Sequence, residues 1–197
     1  MSEPYVRNYV RRVRRLHAML NIPGDHPRIV NAPMYLEANC LISVGEDIYG
    51  REQFLAPEAA ERWLSLQAQA ARDKISLFIV SGFRSVKKQK EIIEAKIRAG
   101  EGLDAILTVN TAPGYSQHHT GLVVDVTDNT DSEPLTEDFG CSPAFTWLMY
   151  QAPAFGFFLP YHTGNRYGIV YEPWHWALES VQNSTFYPQI VDQSTPD

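Results

Sequence analysis

The sequence predicts an α+β fold, because its helical patterns come first along the chain and its strand patterns cluster later. Apolar residues recur at three- and four-residue steps over residues 6–20 and 58–73, which indicates two amphipathic helices. Compact β-favouring runs lie at residues 75–80, 122–126 and 155–159. Helices and strands do not alternate regularly, so a parallel sheet built from βαβ units is disfavoured.

The first half of the chain supplies most of the predicted helices. Five arginines lie on the outer faces of the helix at residues 6–20, so its apolar stripe is expected to dock on the core while the basic face meets solvent. An anionic membrane or polymer is the alternative partner for that face. Residues 21–53 are rich in Pro, Gly and Asn and predict loops with one short strand or hairpin. Pro57 is expected just inside the start of the second helix, and Ser85 is expected to cap a third helix over residues 86–99.

The second half supplies most of the strands. Residues 122–126 predict a buried strand in which Asp125 is embedded among valines. Ser142 is the expected cap of a helix over residues 143–151. The polar tail after Phe186 is expected to fray. Further strands are predicted at residues 155–159, 169–171 and 174–177.

The length and the net charge of the chain limit the classes of protein to which it can belong. A chain of 197 residues is long enough for one well-buried core and short for two, so residues 1–197 are predicted to form a single domain. Its formal net charge of -6 argues against nucleic acid as the main partner. No stretch is long and apolar enough to predict a transmembrane segment. The sequence does not predict an oligomeric state.

Two features bear on the cellular compartment. Residues 1–21 lack the apolar core of a secretory signal, so the sequence as written predicts a cytoplasmic protein, or a cell-envelope protein if it is exported by another route or has lost a leader. Cys40 and Cys141 are far apart and form no metal or redox motif. Two buried free thiols are favoured over one disulfide, so the cysteines do not fix the compartment.

Four residues form the most informative pattern. His118, Asp125 seven positions later, and Glu172 with His175 in a downstream Glu-x-x-His can close a three-ligand metal site with one carboxylate left free. A hydrolytic zinc enzyme needs two imidazoles and one carboxylate on the metal, an open position for water and a base nearby. A bend at Gly121 is expected to bring the seven-apart pair together. A hydrogen-bonded buried carboxylate is the ordinary alternative for Asp125.

Other polar residues are expected near this site, with alternatives that spacing leaves open. His119 competes with His118 as the metal ligand. Glu172 is favoured as a base, although it could instead be the third ligand. Arg84 follows a predicted strand and is placed to bind a carboxylate or a developing oxyanion, with a structural salt bridge as the alternative. Gln89 could add a hydrogen bond to the same anion.

Four linked motifs resemble those of a known family. They are Ser-Gly-Phe-Arg-Ser at residues 81–85, Gln89, the run from Pro113 to Gly121 with Asp125, and Glu-Pro-Trp-His at residues 172–175. In this order they resemble the VanY-type D-alanyl-D-alanine carboxypeptidases, within the zinc peptidases of the lysostaphin, D-Ala-D-Ala peptidase and hedgehog-like fold. The similarity spans roughly residues 75–180. It implies a catalytic core there, a helical and loop part at residues 1–74, and a central, mostly antiparallel sheet with flanking helices.

The resemblance also implies roles for the site residues. The metal would be Zn²⁺, and Glu172 would be the general base and acid. Arg84 would polarise the scissile carbonyl or hold the substrate, and Trp174 would wall the cleft. The implied metal ligands are His118, Asp125 and His175. The residues implied to bind the terminal carboxylate of the substrate are Ser116 and Gln89. Two residues differ from those found in many relatives: Gln117 before the first ligand, and Val123 two residues before Asp125. Neither difference removes an implied metal ligand.

The expected function is therefore hydrolysis of the terminal D-alanine from peptidoglycan stem peptides or muropeptides. The alternatives with the same site are an L,D-carboxypeptidase, a D-Ala-D-Ala dipeptidase and a cross-link endopeptidase. A non-catalytic binding module is the alternative of a different class. A module of that kind is expected to have lost a ligand or the base, whereas this sequence has the full set.

Overall fold

The structure is a computed structural model that describes residues 3–30, 32–128 and 133–187. The helices are α1 (Glu3–Met19), α2 (Pro57–Arg72), α3 (Val86–Arg98), α4 (Leu103–Val109) and α5 (Pro143–Gln151). The strands are β1 (Met34–Tyr35), β2 (Ile42–Glu46), β3 (Glu52–Leu55), β4 (Phe78–Ser81), β5 (Val123–Thr127), β6 (Phe157–Phe158), β7 (His175–Leu178) and β8 (Thr185–Phe186). Short 3₁₀ turns join several of them.

A four-stranded sheet in the order β4-β5-β7-β6 lies at the centre of the fold. All of its pairings are antiparallel. Every residue of β5 is buried, as expected for an inner strand between two neighbours. Two further antiparallel pairs, β2 with β3 and β1 with β8, lie beside this sheet. The predicted α+β class with a mostly antiparallel sheet is confirmed.

Two apolar clusters hold the helices to the sheet. The first lies between the central sheet, α2 and α5 and includes the fully buried rings of Trp63 and Trp176. The second packs α1 against α3 and α4 around Val13, Ile93 and Ile106. Among the residues described, no helix has both the length and the apolar character that a bilayer crossing requires.

The predicted helix starts are confirmed. Pro57 is at the start of α2, where its missing N–H costs nothing. The Ser85 hydroxyl accepts from the Lys88 N–H and caps α3, and the Ser142 hydroxyl accepts from the Phe145 N–H and caps α5. The hairpin expected within residues 21–53 is formed by β2 and β3, and it extends to Leu55.

Several predicted strands differ from those observed. The strand expected from residue 75 begins at Phe78, because the Ile75 N–H still bonds to the Ala70 carbonyl and finishes α2. Residues 169–171 form no strand, and the Asn165 side chain bonds the Ile169 carbonyl instead. Of the strand predicted at residues 155–159, only Phe157–Phe158 form a strand, β6. Helix α4 was not predicted.

Two remaining expectations concern the cysteines and the tail. Cys40 and Cys141 are both free, so no disulfide links them, but both are exposed and the expectation that they are buried is wrong. They lie on loop or turn segments beside the core rather than within it. Nearly all of the tail expected to fray, residues 188–197, lies outside the described part of the chain.

Candidate metal centre and active site

Asp125 and His175 meet because the sheet places them side by side. Asp125 on β5 lies directly opposite His175 on β7, and opposite Ser81 on β4. Side chains of directly opposed residues on antiparallel strands point to the same face. The Asp125 Oδ1 therefore lies 3.1 Å from Nδ1 of His175, and both side chains are almost fully buried.

His118 reaches the same carboxylate from a 3₁₀ turn. This turn, Gln117–Thr120, ends at Gly121, whose φ of 67° is left-handed and turns the chain into β5. The bend predicted at Gly121 is thus confirmed, and a Cβ there would lie only 2.8 Å from the Ala56 backbone nitrogen. Nε2 of His118 lies 3.1 Å from Oδ2 of Asp125, so the two imidazoles approach different oxygens of one carboxylate.

Hydrogen bonds behind each imidazole fix its orientation. Nδ1 of His118 donates to the Gly82 carbonyl at 2.7 Å, which leaves the Nε2 lone pair facing Asp125. Nε2 of His175 donates to Oε1 of Gln117 at 3.0 Å, which leaves the Nδ1 lone pair facing Asp125. The Gln117 amide then donates to the Tyr35 hydroxyl at 3.3 Å. Support of this kind behind a metal-binding imidazole fixes its tautomer and ring orientation.

The chemistry of this donor set fits a zinc ion. One donor atom from each of His118, Asp125 and His175 lies within 4.8 Å of the others. Two imidazole nitrogens and one carboxylate oxygen are a common protein ligand set for catalytic zinc. When both imidazoles are neutral their lone pairs face the Asp125 carboxylate, so a cation between the three groups would be bound by all of them.

The two carboxylates of the site have opposite protonation tendencies. Burial alone would raise the pKa of Asp125, but where the facing nitrogens of His118 and His175 carry protons and donate to it, they hold it well below its ordinary value. Glu172 has its Oε2 3.6 Å from Nδ1 of His175. Burial raises the pKa of Glu172 to about 7, with Asp125 acting in the same direction and His175 and Arg84 opposing it. A carboxyl group with a pKa near neutrality can both take and return a proton.

Arg84 lies beside this cluster and is held from behind. Its Nη2 lies 3.1 Å from the Ser81 hydroxyl and 3.8 Å from Oδ2 of Asp125, and its Nη1 donates to Oε1 of Gln89 at 3.2 Å. Gln89 is fully buried and its amide donates to the Thr111 carbonyl at 2.8 Å. The guanidinium is thus fixed on one side and partly exposed on the other.

His119 serves a different purpose from His118. It is fully buried, and its Nε2 accepts from the Gly114 N–H at 3.0 Å, while its Nδ1 donates to the Arg84 carbonyl. Burial lowers the pKa of His119 to about 3, so the ring is neutral. Both ring nitrogens are therefore engaged away from the Asp125 cluster, and His118 is the member of the pair that faces Asp125.

A cleft of about 180 Å³ opens onto the cluster. Arg84, Ser116, Glu172 and Trp174 line it together with the three clustered donor side chains at its floor. The Ser116 hydroxyl also accepts from the His118 N–H and so stabilises the turn that carries this histidine. Gln89 does not line the cleft.

Sequence reasoning missed three residues of the site. Gly82 and Gln117 hold the imidazoles through contacts of high sequence separation that no local motif predicts. Gln117 was noted only as a departure from many relatives. Tyr161 stacks on the His175 ring with the ring centroids 4.5 Å apart and is also buried. No local spacing signal marked Tyr161.

Fold and site together define a class: an α+β domain with a mononuclear metal centre of the metallopeptidase kind. The chain belongs to the VanY family, described as D-alanyl-D-alanine carboxypeptidase, whose family model matches residues 52–180. The match includes every residue of the cluster as well as Arg84, Glu172 and helix α2. The resemblance inferred from the four sequence motifs is thereby confirmed.

Two curated relatives are similar to this chain at 30% identity. One is the putative carboxypeptidase YodJ of Bacillus subtilis, matched over 128 residues that cover 64% of this chain and 46% of the relative. The other is the bifunctional D-Ala-D-Ala dipeptidase and D-Ala-D-Ala carboxypeptidase VanXYC of Enterococcus gallinarum, matched over 135 residues that cover 66% and 70%. The chain therefore spans about half the length of the first relative and about two thirds of the second.

Two solved structures share the fold. The LdcB LD-carboxypeptidase superposes with a TM-score of 0.60 at 25% identity, over 87% of this chain and 76% of that one. A point mutant of the VanY D,D-pentapeptidase from a VanB-type resistance cassette, in complex with Zn(II), gives a TM-score of 0.55 at 24% identity, over 81% and 89%. These likenesses agree with the hedgehog and D-Ala-D-Ala peptidase-like fold that the sequence predicts.

Proposed function

We propose that this protein is a zinc-dependent D,D-carboxypeptidase that removes the terminal D-alanine from peptidoglycan stem peptides or muropeptides. The observation that carries the proposal is the position of Glu172, a free carboxylate 3.6 Å from His175 at the edge of the three-donor cluster. The membership of the VanY family supports the same reaction and substrate class.

His118, Asp125 and His175 would hold the zinc. Their inward-facing donor atoms and the hydrogen bonds behind both imidazoles support this assignment. A VanY relative was solved with Zn(II) on the same fold, which agrees with the choice of metal. When bound, zinc supplies a Lewis acid that polarises the scissile carbonyl and makes the attacking water more acidic.

Glu172 would be the general base and then the general acid. It lines the cleft, and burial brings the pKa of its carboxyl group to about 7. At neutral pH it can accept the proton of the attacking water and pass it to the nitrogen of the departing D-alanine. Its neighbour His175 would be occupied by the zinc on one side and by Gln117 on the other, and so would not compete for this role.

Arg84, Ser116 and Trp174 would bind and orient the substrate. Arg84 offers a partly exposed guanidinium that can donate to the carbonyl oxygen as negative charge develops, or to the terminal carboxylate. Ser116 and Trp174 line the same cleft. Ser116 would bind the terminal residue of the substrate, and Trp174 would form the side of the cleft next to it. Gln89 is buried behind Arg84, so we assign it the positioning of this guanidinium rather than direct contact with substrate.

We further propose that residues 1–197 act as one peptidase domain, with residues 1–74 as a helical and loop part on the 75–180 catalytic core. A carboxylate contact supports this: Glu37 accepts from the Val86 N–H at the start of α3 and pairs with Arg12 of α1. The α1 helix is thereby tied to the segment that positions Arg84.

The test is a mass-spectrometric digest of defined muropeptides with the zinc-loaded protein. Substrates are the pentapeptide, the tetrapeptide, free D-Ala-D-Ala and a cross-linked dimer. Loss of one D-alanine from the pentapeptide, abolished by a zinc chelator and restored by zinc, is expected. Release of D-alanine only from the tetrapeptide or only from the dimer would replace the D,D-carboxypeptidase assignment.

A further inference from the structure

A second and larger cavity of about 700 Å³ adjoins the metal cleft. Thr111, Gln117, Tyr161 and Ile169 line both cavities, so the two cavities lie side by side. Arg84, by contrast, lines only the cleft. The larger cavity is therefore a neighbour of the cleft that Arg84 does not line.

The lining of this cavity is aromatic and cationic. We name it the tyrosine chamber after its five tyrosines, Tyr35, Tyr115, Tyr161, Tyr167 and Tyr187. Among the residues that the structure describes, its charged lining residues are Arg28 and Arg166 alone, with no aspartate, glutamate or lysine beside them. A cationic cavity in a chain with a formal net charge of -6 favours a ligand with negative charge.

Both arginines are held in place without a carboxylate partner. Arg28 donates from Nη1 to the Gly168 carbonyl at 2.8 Å. Arg166 donates from Nη2 to the Tyr167 hydroxyl at 3.0 Å, and its guanidinium lies 5.1 Å from the Tyr167 ring centre. In the part of the chain that the structure describes, neither guanidinium forms a salt bridge, so most of their N–H donors are available to a ligand.

Much of the chamber is built from segments that flank the family match. The match ends at residue 180 and begins at residue 52, whereas Arg28 and Tyr35 on one side and Gln182 and Tyr187 on the other lie beyond it. The β1–β8 pair brings these two flanks together. The chamber therefore combines residues inside the family match, such as Arg166, with residues outside it, such as Arg28.

We propose that the tyrosine chamber binds the upstream part of the substrate peptide and that Arg28 and Arg166 select a carboxylate there. This inference rests on the proposed function of the adjoining cleft. The chamber volume falls within the range that encloses a drug-sized ligand, and tyrosine rings offer flat apolar surface with polar edges for a peptide. Guanidinium groups bind carboxylates through paired, charge-assisted hydrogen bonds.

The test compares two peptides with the same scissile D-Ala-D-Ala end and either glutamate or glutamine upstream. Wild type is expected to cleave the glutamate peptide with about tenfold higher kcat/KM, since hydrogen bonds between charged groups are worth more than neutral ones. The double variant Arg28→Gln, Arg166→Gln should lose this preference. Arg98→Gln, an exposed arginine on α3, is the matched control and should keep it. Equal kcat/KM for both peptides in wild type would overturn the inference.

Binding separates this inference from the proposed function. Calorimetry measures the affinity of the glutamate peptide with its scissile amide replaced by a reduced, uncleavable bond. An affinity about tenfold weaker in the double variant than in Arg98→Gln supports the chamber as a carboxylate site. This holds even if wild type cleaves neither peptide, because failure to cleave would contradict only the proposed function. Equal affinity in both variants overturns the chamber as a carboxylate site.

Discussion

The Asp125 carboxylate lies 3.1 Å from Nδ1 of His175, its direct neighbour across β5 and β7. The register of the central sheet therefore sets the distance between two of the three clustered donor side chains. A slip of one residue would turn Asp125 to the opposite face of the sheet. The fold and the site depend on the same backbone hydrogen bonds.

Asp125→Asn tests the charge at the centre of the cluster. The substitution keeps the size of the side chain but removes the anion that faces both imidazoles, so zinc bound per chain should fall from one equivalent to a small fraction of it. Plasma mass spectrometry after gel filtration measures the metal. Asp138→Asn, at an exposed acidic residue, is the control and should retain full zinc. Full occupancy in Asp125→Asn would remove this residue from the ligand set.

Gln117→Leu tests the support behind His175. Without the Gln117 carbonyl the Nε2–H of His175 loses its acceptor, and zinc affinity should fall by about 10–100-fold. Competition with a chromophoric chelator measures the affinity. Tyr35→Phe removes the hydroxyl at the other end of Gln117 and leaves the His175 contact intact, so it should change affinity much less. Similar losses in both variants would assign the effect to general packing instead.

Gly121→Ala tests the turn between His118 and Asp125. A left-handed residue with a Cβ costs about 1–2 kcal/mol, and this Cβ would also meet the Ala56 nitrogen at 2.8 Å. Gly164→Ala has a similar φ of 71° with no atom within 4 Å of the new Cβ, so it isolates the backbone cost. Urea unfolding should show the larger loss of stability at Gly121. Equal losses would mean that the close approach to Ala56 relaxes freely.

His17 predicts a pH dependence of stability. Burial lowers the pKa of His17 below its ordinary 6.5, although its bond to the Pro113 carbonyl opposes the shift. The unfolded chain then binds the proton more readily, so this contribution is fully present above pH 6.5 and is lost as the pH falls below that value. Urea unfolding of wild type and His17→Gln from about pH 7.5 to about pH 5, both with chelator, should show a steeper loss in wild type. Parallel curves would contradict a buried neutral ring.

The clustering of His118, Asp125 and His175 could be expected from the sequence, because their residue types and order are those of a metal site. Ser85 and Ser142 likewise marked helix starts through their own hydroxyls. The roles of Gln117 and Gly82 were not predicted because they come from tertiary contacts. Gln117 accepts from His175, 58 positions away in sequence, and the Gly82 carbonyl accepts from His118, 36 positions away. A single sequence does not show such pairs.

The differences in secondary structure have local causes. The strand expected from residue 75 starts late because the Ile75 N–H bonds to the Ala70 carbonyl at the end of α2, and this local hydrogen bond overrides the β propensity of Ile75. Helix α4 was missed because it is only seven residues long, too short for a clear helical period. The chamber could not be predicted, since β1 and β8 unite segments about 150 positions apart in sequence.

The central claim is that Glu172 moves the proton in a zinc-dependent D,D-carboxypeptidase. The most direct measurement is the rate of D-alanine release from the pentapeptide by Glu172→Gln, together with the zinc content of the same sample. Because Glu172 is not one of the three clustered donors, full zinc with a loss of about 10²–10⁴-fold in kcat is predicted. Wild-type turnover by the zinc-loaded variant would contradict the account.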